Sequence, residues 1–153
     1  MQRIRLLTVG TIKKPWVRDG FEEFKKRLTS LADFELVELP ASKEKTPEKQ
    51  IQDESDRLLK VLDGKEMVVL LDEHGKEMTT KEYADFLGAK KDMGSEVVFV
   101  VGGAYGVDER VKEKADLLLS LGSMTLPHEL VRIVFLEGLY RALDLARGGK
   151  YHH

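Results

Sequence analysis

The chain contains no cysteine. Disulfides, thiolate metal sites and cysteine nucleophiles are excluded before any residue is placed. Long apolar runs are missing as well: nothing approaches the ~20 residues that a membrane-crossing helix needs. The opening MQRIRLLTVG turns polar too soon for a signal peptide. Four prolines in 153 residues leave no proline-rich linker, and no segment repeats. Without a His-x-x-x-His pair or a carboxylate cluster at ligand spacing, no metal is expected, nor is a Ser-His-Asp set evident. G-x-x-x-x-G-K-[ST] is also absent, which removes the phosphate-loop reading. The expectation is one cytoplasmic domain spanning residues 1–153, long enough to bury a real core.

Apolar residues make up 42% and charged residues 34%, the balance of a soluble globular protein. The net charge of −2 argues weakly against nucleic acid, but its distribution is uneven. Residues 1–32 hold eight bases (Arg3, Arg5, Lys13, Lys14, Arg18, Lys25, Lys26, Arg27) against three acids. Residues 33–66 hold six bases against ten acids. Binding to phosphate follows the local field, so the basic segment reads either as a phosphate-facing patch or as a solvated helix face.

Hydrophobic periodicity gives alternating strands and helices. Ile4–Val9 reads as a strand. Trp16, Phe21, Phe24 and Leu28 recur at helical spacing and predict a helix over Pro15–Leu31. Phe34–Leu39 is a second strand, stopped by Pro40. A loop within Pro40–Gln50 leads into a helix capped by Thr46, with Pro47 in its first turn. Met67–Asp72 and Glu96–Gly103 are continuous apolar runs, as in strands buried on both faces of a parallel sheet. Between them a helix begins at Thr79 or Thr80. A short helix over Asp108–Lys114, a fifth strand over Ala115–Leu119 and a long helix over Pro127–Arg147 complete the pattern. The fold class is α/β, a single domain with a mostly parallel sheet covered by helices on both faces. The last helix has so few purely polar positions that it must bury more than one face, which predicts a homodimer with this helix in the interface. Glu137 and Arg141, four apart, can pair.

Ligands of parallel sheets bind beyond the carboxyl ends of the strands. Three such ends stand out: Leu71 to Gly75, Gly102 to Gly106, and Leu121 to Leu126. Glycines there serve either a tight turn or a close backbone approach to a ligand. The sequence GGAYG lacks the G-x-G-x-x-G order and follows a late strand, so a dinucleotide fingerprint is not supported. If Pro127 opens the last helix, its cap is Leu126, which offers no side-chain acceptor; Thr125 is the alternative cap. An uncapped end would leave amides for an adenine edge, a carboxylate or a phosphate. His128 would stand beside that ligand, held neutral by the positive helix end, though a lone histidine reads equally as structural. His152 and His153 end the chain, as a tag remnant or a functional tail.

The segments VVFVVGGAYGV, LSLGSMTLPHELVRIVFLEGLYRAL and RGGKYHH, with the opening LLTVGTIKKPWVRDGFEEFKKRL, closely resemble the ribosomal RNA large subunit methyltransferase H family. This family belongs to the SPOUT class of α/β-knot methyltransferases, and the resemblance covers essentially the whole chain. It implies a C-terminal trefoil knot and a homodimer that uses S-adenosyl-L-methionine. It also implies the reaction: methylation of N3 of a pseudouridine, that at position 1915, of 23S ribosomal RNA within the assembled ribosome. Carried over by position, the cofactor contacts fall at Leu71, Gly102, Leu121, Gly122, Ser123, Met124, Thr125 and Leu126, with Met124 and Leu126 against the adenine. Beside what the resemblance implies, His128 or the partner's His152 is a candidate base or orienting group, and Arg132, one turn from His128, a candidate holder of RNA phosphate or base carbonyl. Tyr151 and His152 match a tail that completes the other subunit's site, while His153 stands where many members have a basic residue. Arg3, Arg5, Lys13 and Lys14 are candidates for docking the ribosome. The competing readings are a SPOUT enzyme acting on tRNA or another rRNA base, and a non-catalytic nucleotide-binding domain of flavodoxin-like shape.

Overall fold

Runs of β-branched and aliphatic residues alternate with amphipathic stretches along the chain, and the computed structural model, which describes residues 1–153, follows that alternation throughout. The order is β1 (Arg3–Val9), α1 (Pro15–Leu28), β2 (Asp33–Leu39), α2 (Pro47–Val61), β3 (Met67–Glu77), α3 (Thr80–Asp92), β4 (Val97–Val101), α4 (Glu109–Lys114), β5 (Leu117–Ser120) and α5 (Leu130–Ala146). The helix starts are local chemistry. Thr46 caps α2 by accepting from the Lys49 amide, with Pro47 pre-set for the first turn. Thr79, rather than Thr80, caps α3 in a reciprocal capping box with Glu82.

The strands form one sheet in the order β2-β1-β4-β3-β5, and every pairing is parallel. Parallel neighbours need crossover connections, so helices cover both faces. Ile4, Leu6, Val69 and Phe99 point to the face covered by α1, α3 and α5, where they meet Phe21, Leu87, Phe135 and Leu139. Leu7, Val68, Leu70 and Val98 point the other way, toward Leu58 of α2 and Val111 of α4. Phe99 and Phe135 pack with ring centroids 4.8 Å apart. Burying each such side chain stabilises the fold by about 1.5–3 kcal/mol. From β5 at the sheet edge the chain returns to place α5 between α1 and α3, a path that fits the C-terminal knot.

Several boundaries differ from the sequence reading for identifiable reasons. α1 ends at Leu28 because the next residues tighten: the Thr29 hydroxyl and the Leu31 amide bond back to Lys26 and Leu28 carbonyls. β3 runs on past Asp72 to Glu77, its register against β5 broken between Leu71 and Lys76. The residues between bulge outward, and Gly75 lies so close to β5 that an added Cβ would sit 2.6 Å from the Leu118 carbonyl. α5 opens at Leu130, not Pro127. Pro127 and His128 form a turn whose Pro127 carbonyl accepts from the Val131 amide, and Glu129 stands at the N-cap without capping. The surplus apolar surface of α5 is largely taken up by α1 and α3, so its composition does not by itself demand a second protomer.

Gly75 and Gly88 separate close approach from mere permissiveness. Gly75→Ala drives a methyl into the β5 backbone and should lower unfolding free energy by about 1–3 kcal/mol. Gly88, within α3, has open space where a Cβ would go, so Gly88→Ala should be neutral or stabilising by up to ~1 kcal/mol. Urea unfolding of both variants measures the difference; equal effects would contradict the bulge geometry.

Candidate active site

Because all strands run the same way, their carboxyl ends share one edge, and the bulge of β3 and the loops after β4 and β5 meet there around a cleft of about 280 Å³. Leu71 and the β3 bulge, Gly102 to Gly106, and the segment from Leu121 to His128 form its walls. Ligand pockets typically hold ~300–1,000 Å³, so the cleft is at the small end of that range.

Polar ties fix each wall. In the first, the Asp72 carboxylate accepts from the His74 amide at 2.8 Å, which turns the bulge. In the second, the Gly106 amide donates to the Gly103 carbonyl at 3.0 Å. That turn rests on α2: the buried Glu54 carboxylate stands where a Cβ on Gly103 would be, and Ser55 Oγ accepts from the Asp108 amide at 3.0 Å. The third wall is tied to the first. Ser120 Oγ lies 3.2 Å from the Glu73 carbonyl, the Thr125 hydroxyl donates to the Glu73 carboxylate at 3.0 Å, and the Ser123 hydroxyl donates to Glu77 at 2.9 Å. Thr125 is thus engaged across the cleft and does not cap α5. Met124 is 83% exposed, an apolar side chain at the rim with room to close on a ligand.

Below the cleft lies a charged junction centred on a buried arginine. Arg132 is fully buried; its Nη2 donates to the Val9 carbonyl at 3.0 Å and stands 3.1 Å from His128 Nε2. Its Nη1 lies 3.5 Å from Glu38 Oε2. Burial, and then the adjacent Arg132 cation, hold the His128 imidazole below its ordinary pKa, outweighing the upward pull of the Val9 carbonyl, Glu129 and Glu54. The shift favours the neutral ring, with burial and an arginine as its causes where the sequence pointed to a helix end. Glu129 turns away to α1, accepting from the Lys13 and Lys14 amides at 2.8 and 3.0 Å; the Lys14 amide leads in holding its carboxyl below the usual range.

Of the residues singled out from the sequence, Leu71, Gly102, Leu121, Gly122, Met124, Thr125, Leu126 and His128 line the cleft, and Ser123 does not. Arg132 is not the RNA-facing group expected of it, because its guanidinium has no exposed surface. The tail is separate too. Tyr151 donates from Oη to Glu137 at 3.1 Å and from its amide to Asp144 at 3.0 Å, and His152 Nδ1 lies 3.4 Å from Arg141. Glu137 and Arg141 pair as expected. Arg141 follows Arg132 by nine residues, ~14 Å along the helix, so His152 does not meet His128 within one chain. Arg3 and Arg5 begin β1 at the opposite sheet edge, paired with Glu96 at 3.7 and 3.0 Å; they do not join the cleft. Lys13 and Lys14 are exposed on the β1–α1 loop, on the cleft's side. Sequence reasoning missed Gly10, Glu38 and Glu54. Only Gly10 carried a visible signal, a glycine directly after a strand.

A family model described as "Predicted SPOUT methyltransferase" matches residues 2–152. The ribosomal RNA large subunit methyltransferase H of Geotalea daltonii is 40% identical over 152 residues, covering 99% of each chain. That of Streptococcus mutans is 37% identical over 157 residues, covering 98% of this chain and 99% of its own. Among solved structures, a tRNA methyltransferase from Aquifex aeolicus shares the fold with a TM-score of 0.57 at 19% identity, over 99% of this chain and 75% of that one. The matched family model spans the same loops that wall the cleft, and the chain belongs to the SPOUT methyltransferase family, among its ribosomal RNA large subunit methyltransferase H members.

Proposed function

We infer that this protein transfers a methyl group from S-adenosyl-L-methionine to N3 of a pseudouridine in 23S ribosomal RNA on the assembled ribosome, as a homodimer with shared sites. The observation that carries this reading is the meeting of the β3 bulge, the loops after β4 and β5, and His128 at one cleft, in a chain of this family. The cleft suits the donor: backbone at Gly102 and from Leu121 to Leu126 offers amides and carbonyls to an adenosyl group, and Leu126 and the uncovered Met124 supply apolar contact for adenine. Leu71 borders the same space. Bound there, the donor supplies a methyl already activated by its sulfonium charge, leaving as a neutral thioether without help from a metal.

The protein's work is then positioning and control of one proton. The base must approach in line from the open side of the cleft, and its N3–H proton must leave before or during attack. His128 lines the cleft beside Arg132 and orients the base. Tyr151 and His152 are held against Glu137, Arg141 and Asp144 of α5, away from His128 of their own chain, which supports a site built from two chains. Lys13 and Lys14 face the side from which RNA would arrive, and their charge suits phosphate. Cytoplasmic location follows from a ribosomal substrate.

Three outcomes check this reading. Incubation with labelled donor and ribosomes lacking the modification should give methylpseudouridine in 23S RNA by mass spectrometry; methylated tRNA alone would redirect the assignment. His128→Ala and His152→Ala should each lower kcat by ~100-fold, and mixed unfolded subunits refolded together should recover about a quarter of wild-type activity through heterodimers with one intact site. No recovery would contradict shared sites. Reversing Lys13 and Lys14 to Glu should weaken ribosome binding and flatten its salt dependence, whereas reversing Arg3 and Arg5 should leave both unchanged.

A further inference from the structure

Arg132 is the bulkiest side chain that the fold buries completely. A guanidinium out of water is costly unless it is paired and hydrogen-bonded, and here the compensation is incomplete. Its one carboxylate partner, Glu38, stands at 3.5 Å, and its Nε hydrogen finds no acceptor. A methionine would fill much the same space without a charge. What the arginine adds is two directed N–H bonds from Nη2, one to the Val9 carbonyl and one to His128 Nε2.

We propose that Arg132 is a positioning residue for methyl transfer, which fixes His128 as its Nδ1–H tautomer so that the ring meets the substrate as a hydrogen-bond donor and not as a base. This rests on the reading of the cleft as the methyl-transfer site. Arginine has five N–H donors and no lone pair. A ring nitrogen 3.1 Å from its Nη2 must therefore be the acceptor, and in a neutral imidazole the proton then sits on the other nitrogen. The rival arrangement would protonate Nε2 and aim it at the Val9 carbonyl. That sets one N–H against another, at a carbonyl Arg132 already occupies at 3.0 Å. Imidazolium would add a cation beside a cation. The charged groups around the ring are Arg132 from α5, Glu129 from the turn before it and Glu54 from α2; the carboxylates favour the cation, and burial with Arg132 prevails.

The neighbours keep this contact in register. Gly10, at φ +85°, takes a left-handed turn, and a Cβ there would crowd His128 Nε2 at 3.3 Å, so the glycine makes room for the pair. Glu38 is itself held by the Ile12 amide at 3.1 Å and Arg18 at 3.6 Å. With its Nε2 lone pair engaged, His128 cannot accept the N3 proton. Its Nδ1–H can donate to a base oxygen, where negative charge grows as that proton leaves. The proton itself passes to water or to His152 of the partner subunit.

Nitrogen-15 NMR of the uniformly labelled full chain at pH ~8, above the ordinary imidazole range, reads the tautomer directly, with the His128 signals identified by their loss in His128→Gln. A protonated Nδ1 and a bare Nε2 are expected; a protonated Nε2 would overturn the proposal. Arg132→Met should lose this preference and lower kcat about 10-fold or more with donor affinity unchanged within about twofold. Arg132→Lys should restore part of both. An Arg132→Met protein that keeps the tautomer and kcat would also overturn it; if that variant does not fold, the wild-type spectrum decides. A wild-type enzyme that methylates nothing would sink the functional reading while leaving the spectrum interpretable.

Discussion

A single direction of travel governs this molecule. Since β1, β2, β3, β4 and β5 are mutually parallel, each must end at the same edge, and each must be followed by a connection long enough to cross a face. The crossovers supply the two apolar layers. The edge collects five loops whose backbone groups, freed from the sheet ladder, are available to a ligand. β4, central and fully buried, delivers the glycine turn to the middle of that edge, and β3 beside it and β5 beyond bring the other two walls.

Carboxylates convert this edge from a set of loops into a shaped cleft. Glu73 and Glu77 of β3 hold the segment after β5, Glu54 of α2 stands behind the glycine turn, and Glu129 ties the turn before α5 to the start of α1. Most are partly exposed, and individually each adds little stability. Their effect is on position: they restrict loops that would otherwise sample many conformations, which lowers the ordering cost of ligand binding. The junction of buried Arg132 with Glu38 and His128 extends the same logic below the cleft, where the low polarity around the guanidinium strengthens its bonds.

The sheet was legible because its strands bury both faces: MVVLL and VVFVV have no other reading than interior strands in an alternating chain. The cleft loops were legible through their glycines and through the family resemblance. Helix ends were less so. Pro127 looked like a first helical residue, but the turn it begins is shaped by Thr125 bonding to Glu73 and by Glu129 leaving for α1, contacts 52 and 116 residues apart in sequence. Arg132 was misplaced for a similar reason. On a helical projection it is one turn from His128, and a charged residue is ordinarily exposed; only the folded neighbourhood, with Gly10 and Glu38 arriving from distant strands, shows that it lies inside. Arg3 and Arg5 formed a basic cluster with Lys13 and Lys14 in the linear sequence, yet a strand separates the two pairs, and Glu96 neutralises the first.

The central claim is that the β3 bulge and the loops after β4 and β5 together bind a methyl donor. Amide hydrogen exchange with and without S-adenosyl-L-methionine tests it most directly. The account requires new protection at Leu71–Asp72, Gly102–Gly106 and Leu121–His128 in concert, with the β1 start near Arg3 and the α2 loop near Lys43 unchanged. Protection elsewhere, or in only one of the three loops, would contradict it.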